Sequence, residues 1–275
     1  MVVIPLGFSK VTWKDLVYYT VPRFENTGLV RVVFTTRLGG VSNTPFNSLN
    51  LGIKKKDSKE SIYQNYQILS RATGISVENM VLSDQIHGDK IVRVGEKDIG
   101  KDFFNTNRIS GVDGLITNEK EVALVTFYAD CVPLFFLDPI QKTIGLTHAG
   151  WRGTIKGIGR KTIKKMKEEF YTKPENCLVA IGPSIGPCCF EVGKDVVEKI
   201  NIEFTKPEQY YTDKGNGKYM VDLWKLNQNQ LMEAGIHPQN VELSKICTKC
   251  NRDIFFSHRG DQGNTGSLAA VLMLI

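Results

Sequence analysis

The sequence predicts an α+β fold on three observations. Many short β-branched and aromatic runs are separated by turn signals, three or four stretches carry a helical apolar period, and 41% hydrophobic residues allow a sizeable core. Strands are expected at 29–36, 81–87, 90–94, 115–117, 122–128, 132–138, 142–147, 177–181, 255–260 and 268–274. A helix over 57–72 has a readable start and stop: Asp57 and Glu60 stand at capping-box spacing, and Gly74 follows the last turn. In a second helix Ile155, Ile158, Thr162, Ile163, Met166 and Phe170 share one face and lysines the other. Residues 220–222 lead into a third, which ends at Gly235. Length alone admits one large domain or two small ones.

The net charge of +6 raises nucleic acid as a partner. The lysines concentrate at Lys54-Lys55-Lys56 and along the second helix, where they form a solvated face, so no nucleic-acid partner is expected. A positive field would still favour small anionic substrates. No apolar run approaches the ~20 residues of a membrane span, and residues 1–14 show no basic region followed by a long apolar core. Six cysteines without an export signal suggest reduced thiols in the cytoplasm. Cys247 and Cys250 have Cys-x-x-Cys spacing, but no second such pair completes a zinc ribbon, and they read as two thiols near a turn.

Chemistry concentrates between residues 122 and 153. Three neighbouring strands are expected there, and Ala129-Asp130-Cys131 leaves the first, while His148-Ala149-Gly150-Trp151-Arg152-Gly153 leaves the third. Metal-capable side chains at strand ends, beside glycines that admit a ligand, look like a site. The chain has four histidines, and His87, His148 and His258 each end an apolar strand; His237 follows a helix end. Two imidazoles and one thiolate make a three-ligand zinc set with a position left for water or substrate, and blue copper uses the same types. Neither His-Glu-x-x-His nor His-x-Glu occurs, which excludes two common zinc-enzyme patterns. Arg37, in the turn with Gly39-Gly40-Val41-Ser42, is either an anion clamp or a solvated hairpin arginine. Gly182-Pro183-Ser184-Ile185-Gly186 has nucleophile-elbow spacing, followed by Asp222 and His258 in hydrolase order, but Gly186-Pro187 replaces the required helix.

Asp84-Gln85-Ile86-His87-Gly88, Ala129-Asp130-Cys131-Val132-Pro133, Thr147 through Gly153, residues 181–189, Phe256-Ser257-His258-Arg259 and the Arg37 turn together resemble the YfiH/YlmD laccase-domain family. The resemblance spans essentially the whole chain in order. It implies a single domain over 1–275 of mixed β-sheets with helices packed outside. It also implies a zinc-dependent purine nucleoside phosphorylase acting on adenosine, inosine and S-methyl-5'-thioadenosine, with adenosine deaminase side activity. By that resemblance the metal ligands are His87, Cys131 and His148. Asp130, Cys131 and Asp84 are catalytic candidates, either aspartate being able to orient a histidine instead. Arg37, Ser42, Gln85, Arg152, His258 and Arg259 are candidates for contacting nucleoside or phosphate. Gly114 stands after Asp113 where the family more often has alanine.

Other classes stay in view. A copper phenol oxidase of the four-copper type needs about ten histidines, which four cannot supply. A metal-free hydrolase would pair Cys131 with His148. A non-catalytic nucleotide-binding module would bind without turnover. The oligomeric state is not set by the sequence.

Overall fold

The computed structural model describes residues 7–100 and 109–275; the segment read for a leader lies, up to Leu6, outside them. Seven strands form a first sheet in the order Ser9–Trp13, Leu16–Thr20, Val30–Thr35, Leu268–Leu274, Ala123–Tyr128, Met80–Asp84 and Ile109–Ser110. The first four joints are antiparallel and the last two parallel. Six strands form a second sheet, Val241–Leu243, Leu178–Ile181, Val132–Asp138, Thr143–Ala149, Gly114–Thr117 and Ile91–Arg93. Its two outermost joints are parallel. A small third sheet comprises Glu191–Gly193, Lys218–Val221 and Tyr211–Gly215. Both large sheets are mixed and the helices lie outside them, as expected for one α+β domain.

Side-chain alternation explains the layering. In Val132–Asp138, Phe135 and Leu137 face the first sheet, joining Val32, Phe34, Leu124 and Leu272 in one core. Leu134 and Phe136 point the other way, onto Met166, Leu226 and Leu231 of the outer helices. In Leu268–Leu274, Ala269, Val271 and Met273 meet Ile62, Tyr66 and Leu69 of the helix Lys59–Thr73. A period of two therefore supplies two cores from one strand, so a strand buried on both faces reads as continuously apolar. Each fully buried Leu or Phe contributes about 1.5–3 kcal/mol.

Several expectations change in detail. The helix at 57–72 is capped by Ser58, whose hydroxyl accepts from Ser61 N, while Asp57 accepts from Ser58 N. The lysine-rich helix is two, Trp151–Ile155 and Ile158–Phe170, parted by Gly157 at φ 74°. Residues 255–260 form turns instead of a strand. The largest correction concerns the three expected neighbours at 122–147. Only Val132–Asp138 and Thr143–Ala149 pair; Ala123–Tyr128 lies in the other sheet. Residues 129–131 thus cross between sheets.

That crossing has two companions. The chain also passes from first to second sheet between Asp84 and Ile91, and between Ser110 and Gly114. The entering strands Met80–Asp84, Ala123–Tyr128 and Ile109–Ser110 are mutually parallel through their shared neighbours, so all three crossings fall at one end of the sandwich. This places His87, Asp113 and Cys131 together. Among the described residues no helix is long and apolar enough to cross a membrane.

Candidate functional site

Hairpin register brings the first two ligands together. His148 pairs with Pro133 and Ala149 with Val132, so the end of one strand stands beside the start of the other. Cys131 immediately precedes that start. His87 arrives from the first sheet, three residues beyond the strand Met80–Asp84, in a turn at φ 59°. One ligand atom from each of His87, Cys131 and His148 lies within 4.8 Å of the others. The two imidazoles meet edge to face, with centroids 4.9 Å apart.

One buried carboxylate organises the trio. Asp113 Oδ1 lies 2.8 Å from His148 Nδ1 and accepts from His87 N; its Oδ2 accepts from Ile86 N and Gly88 N at 3.2 and 2.7 Å. The Asp113 carbonyl also accepts from His148 N at 2.7 Å. Holding Nδ1 leaves Nε2 of His148 to face Cys131, the arrangement by which a carboxylate orients a histidine ligand. Desolvation would raise the Asp113 carboxyl, but His148 and the backbone N–H groups outweigh it and hold it below its ordinary value. Burial likewise opposes ionisation of Cys131, yet the charge of His148 and hydrogen bonds from both histidines bring the thiol down to about 6. Burial opposes charge on His148 too, but Cys131 and Asp113 raise it to about 9. Without metal the pair is thus thiolate and imidazolium.

The donor set fits a metal ion. Two imidazoles and an ionised thiol are zinc or copper ligands, and three protein ligands leave a position open. Gly150 keeps the space clear. A Cβ there would stand 3.2 Å from Cys131 Sγ, 3.2 Å from His87 Cδ2 and 3.5 Å from His148 Cε1.

The trio lines a cavity of about 860 Å³, within the range of small-molecule sites. Asp84, Gln85, Asp130, Arg152, His258 and Arg259 line it as well. Arg37 and Ser42 are not brought to it, since both are spent on the local fold. The Arg37 guanidinium donates to the carbonyls of Asn47 and Arg252 and lies 4.7 Å over the Phe256 ring. Ser42 is buried, and its hydroxyl accepts from Asn65 Nδ2. Gln85 is a clamp: it donates to Phe127 O at 2.9 Å and accepts from Phe127 N at 2.7 Å, tying the His87 turn to the Asp130 strand.

Asp130 sits at φ 88° with both oxygens engaged, Oδ1 by Thr248 Oγ1 and Oδ2 by Arg259 N, each at 2.7 Å. Its carbonyl accepts from Ile185 N. It therefore joins three loops of the cavity wall. The Arg259 guanidinium donates to Glu191 O and stands over the Phe190 ring. Arg152 is exposed, stacks 4.3 Å from the Trp151 ring centroid, and has no carboxylate partner among the described residues. Asp84 pairs with Lys54. The elbow serine does not form a nucleophile: Ser184 is wholly buried, donates to Gly182 O and accepts from Trp224 Nε1, with no helix directly after it.

Sequence alone assigned no role in the site to Asp113, nor to Lys54, Lys55 and Lys218, which bring positive charge to the cavity. Desolvation lowers the Lys55 ammonium below its usual value. A signal for Asp113 was present, a lone carboxylate flanked by Val112 and Gly114 at the head of an apolar strand.

The double-sheet sandwich carries a His₂Cys trio at its crossing end, and residues 31–275 match the profile of the family described as multi-copper polyphenol oxidoreductase laccase. The chain belongs to this family. It is 34% identical over 249 residues to "Purine nucleoside phosphorylase YlmD" of Bacillus subtilis (strain 168), covering 90% of each chain. It is 37% identical over 242 residues to the YlmD phosphorylase of Geobacillus stearothermophilus, covering 86% of this chain and 88% of that one. The crystal structure of the Geobacillus stearothermophilus YlmD superposes with a TM-score of 0.92 at 33% identity, over 98% of this chain and 99% of the other. That of the Bacillus licheniformis hypothetical protein YfiH gives 0.91 at 31%, with the same coverage.

Proposed function

We propose that this protein is a zinc-dependent purine nucleoside phosphorylase of the cytoplasm. It takes adenosine, inosine or S-methyl-5'-thioadenosine with phosphate to the free base and the sugar 1-phosphate. The observation that carries the reading is the convergence of His87, Cys131 and His148 on the wall of a cavity with room for a nucleoside and an anion. The relatives' names support the reaction, and six unpaired cysteines suit a reducing compartment.

Phosphorolysis passes through a sugar with oxocarbenium character, so the site must hold phosphate at the anomeric carbon and stabilise charge on the departing purine. Zinc, held by His87, Cys131 and His148, supplies a Lewis acid at that centre when bound. The chain's own residues do the rest. Asp113 keeps Nδ1 of His148 protonated and Nε2 free for ligation. Arg152, uncommitted and exposed at the cavity, holds a phosphate oxygen, with Lys54, Lys55 and Lys218 adding positive charge. Asp84, which reaches the cavity beside Lys54, carries the proton exchanged with the base. Asp130 positions Arg259 through the backbone N–H it accepts, and His258 borders the nucleoside. The same metal-binding pocket serves deamination of adenosine as a side activity.

Four histidines in the whole sequence are too few for a multicopper centre, and a reducing compartment with no evident axial methionine favours zinc over a single copper ion. The test is elemental analysis and an inosine-plus-phosphate assay on one preparation. Cys131→Ala is expected to lose the metal of this site and phosphorolysis together. Full turnover by metal-free protein would reject the mechanism, an intense blue colour would favour copper, and binding without turnover would leave only a nucleotide-binding module.

A further inference from the structure

A second group of soft ligands includes two from the loop that walls the cavity, though none of the four lines the cavity itself. Cys188 and Cys189 come from the turn after the strand Leu178–Ile181, and Cys247 and Cys250 from the turn after Val241–Leu243. Their four sulfurs all lie within 4.8 Å of one another. Cys250 Sγ is 3.6 Å from that of Cys188 and 3.5 Å from that of Cys189. Four sulfurs around a tetrahedral zinc ion, at Zn–S of about 2.3 Å, stand about 3.8 Å apart. We propose that Cys188, Cys189, Cys247 and Cys250 form a second, structural metal site that binds zinc through four thiolates. The Cys-x-x-Cys pair thus has its complement, as an adjacent Cys-Cys pair on another loop.

The backbone prepares the cluster independently of any ion. Ser184 and Cys247 form a parallel bridge, Ser184 N donates to Ile246 O and Thr248 N to Ser184 O. Gly186 N donates to Cys247 Sγ at 3.3 Å, an outer hydrogen bond of the kind that steadies a metal-bound thiolate. Gly186 has no room for a side chain, since a Cβ would lie 2.8 Å from the Trp224 ring. The alternatives fit less well. Core packing does not require thiols at Cys188 and Cys250, which are exposed. A disulfide joins two sulfurs, whereas Cys250 stands nearly equidistant from two.

A site with four protein ligands is closed to substrate, so its role is structural. It joins the loop carrying Ile185 and Phe190 to the segment that continues to His258 and Arg259, all four of which line the cavity. Zinc here would fasten two sides of one wall without touching the reactants.

The test uses intact protein expressed and purified with zinc. Wild type is expected to hold two zinc ions per chain, Cys131→Ala one, and the Cys188→Ser/Cys250→Ser double variant one. X-ray absorption at the zinc edge of Cys131→Ala is expected to show sulfur ligands alone, a measurement that stands even if the double variant fails to fold. In zinc-loaded wild type these four cysteines should resist alkylation until a strong chelator is added. Cys131→Ala that retains no metal after purification with zinc, iron in place of zinc, or a disulfide from Cys250 to Cys188 or Cys189 in the mass spectrum would each overturn the assignment.

Discussion

Asp113 Oδ1 stands 2.8 Å from His148 Nδ1, and the same carboxylate gathers the backbone N–H groups of Ile86, His87 and Gly88. One side chain therefore sets the tautomer of one proposed ligand and the backbone carrying another. Asp113→Asn keeps the size but presents an amide that cannot match all these donors. Its affinity for zinc is expected to fall about 10–100-fold, read by competition with a chromogenic chelator. The carboxyl is held below its ordinary value, so its ionised form stabilises the fold above the unfolded pKa of about 4 and that contribution vanishes as pH falls through the folded value. Metal-free Asp113→Asn should accordingly lose stability at neutral pH and show a weaker acid dependence than metal-free wild type. Unchanged zinc affinity in a folded variant would remove Asp113 from the site.

Cys131 in metal-free protein is a thiolate at neutral pH, with its pKa brought to about 6 against the opposing effect of burial. The rate of iodoacetamide alkylation should rise through a midpoint near pH 6 and then level off. His148→Gln removes the cation and should move the midpoint up by more than a unit, because burial then acts with less opposition. Added zinc should protect the thiol. Alkylation indifferent to zinc would instead favour a metal-free thiol enzyme.

Arg152 and Arg37 separate binding from folding. A hydrogen bond from a charged group contributes about 1.5–3 kcal/mol, so Arg152→Ala is expected to raise KM for phosphate by roughly 10–150-fold with little change in Tm. Arg37→Ala removes donors to Asn47 O and Arg252 O and the contact over Phe256, and should lower Tm while leaving KM for phosphate near wild type. The reverse pattern in steady-state kinetics and thermal melts would restore Arg37 as the anion clamp.

Much of the site was legible because chemistry and local pattern coincided. Cys131 and His148 bracket two apolar runs joined by the turn signal Asp138-Pro139, and an antiparallel hairpin needs only local sequence to bring its two ends together. His87 was legible through its motif, not its strand, since it lies three residues beyond Met80–Asp84. Arg37 was misplaced for the opposite reason. A turn rich in glycine offers an anion clamp and a braced loop with the same letters, and the nearby carbonyls of Asn47 and Arg252 decide between them.

By itself the amino-acid order determined nine of the strands, the buried faces of the helices it foretold, and which side chains can bind a soft metal, because these depend on periodicity and ligand chemistry; the short strands such as Ser9–Trp13 and Glu191–Gly193 carried no such signal. Tertiary structure decided which sheet each strand joins. That choice sends the chain across the sandwich three times at one end, placing Asp113 between His87 and His148. It also brought Cys188 and Cys189 to Cys247 and Cys250 across about sixty residues of sequence. No local rule foretells such meetings, since the packing of two sheets is settled by the whole apolar surface at once.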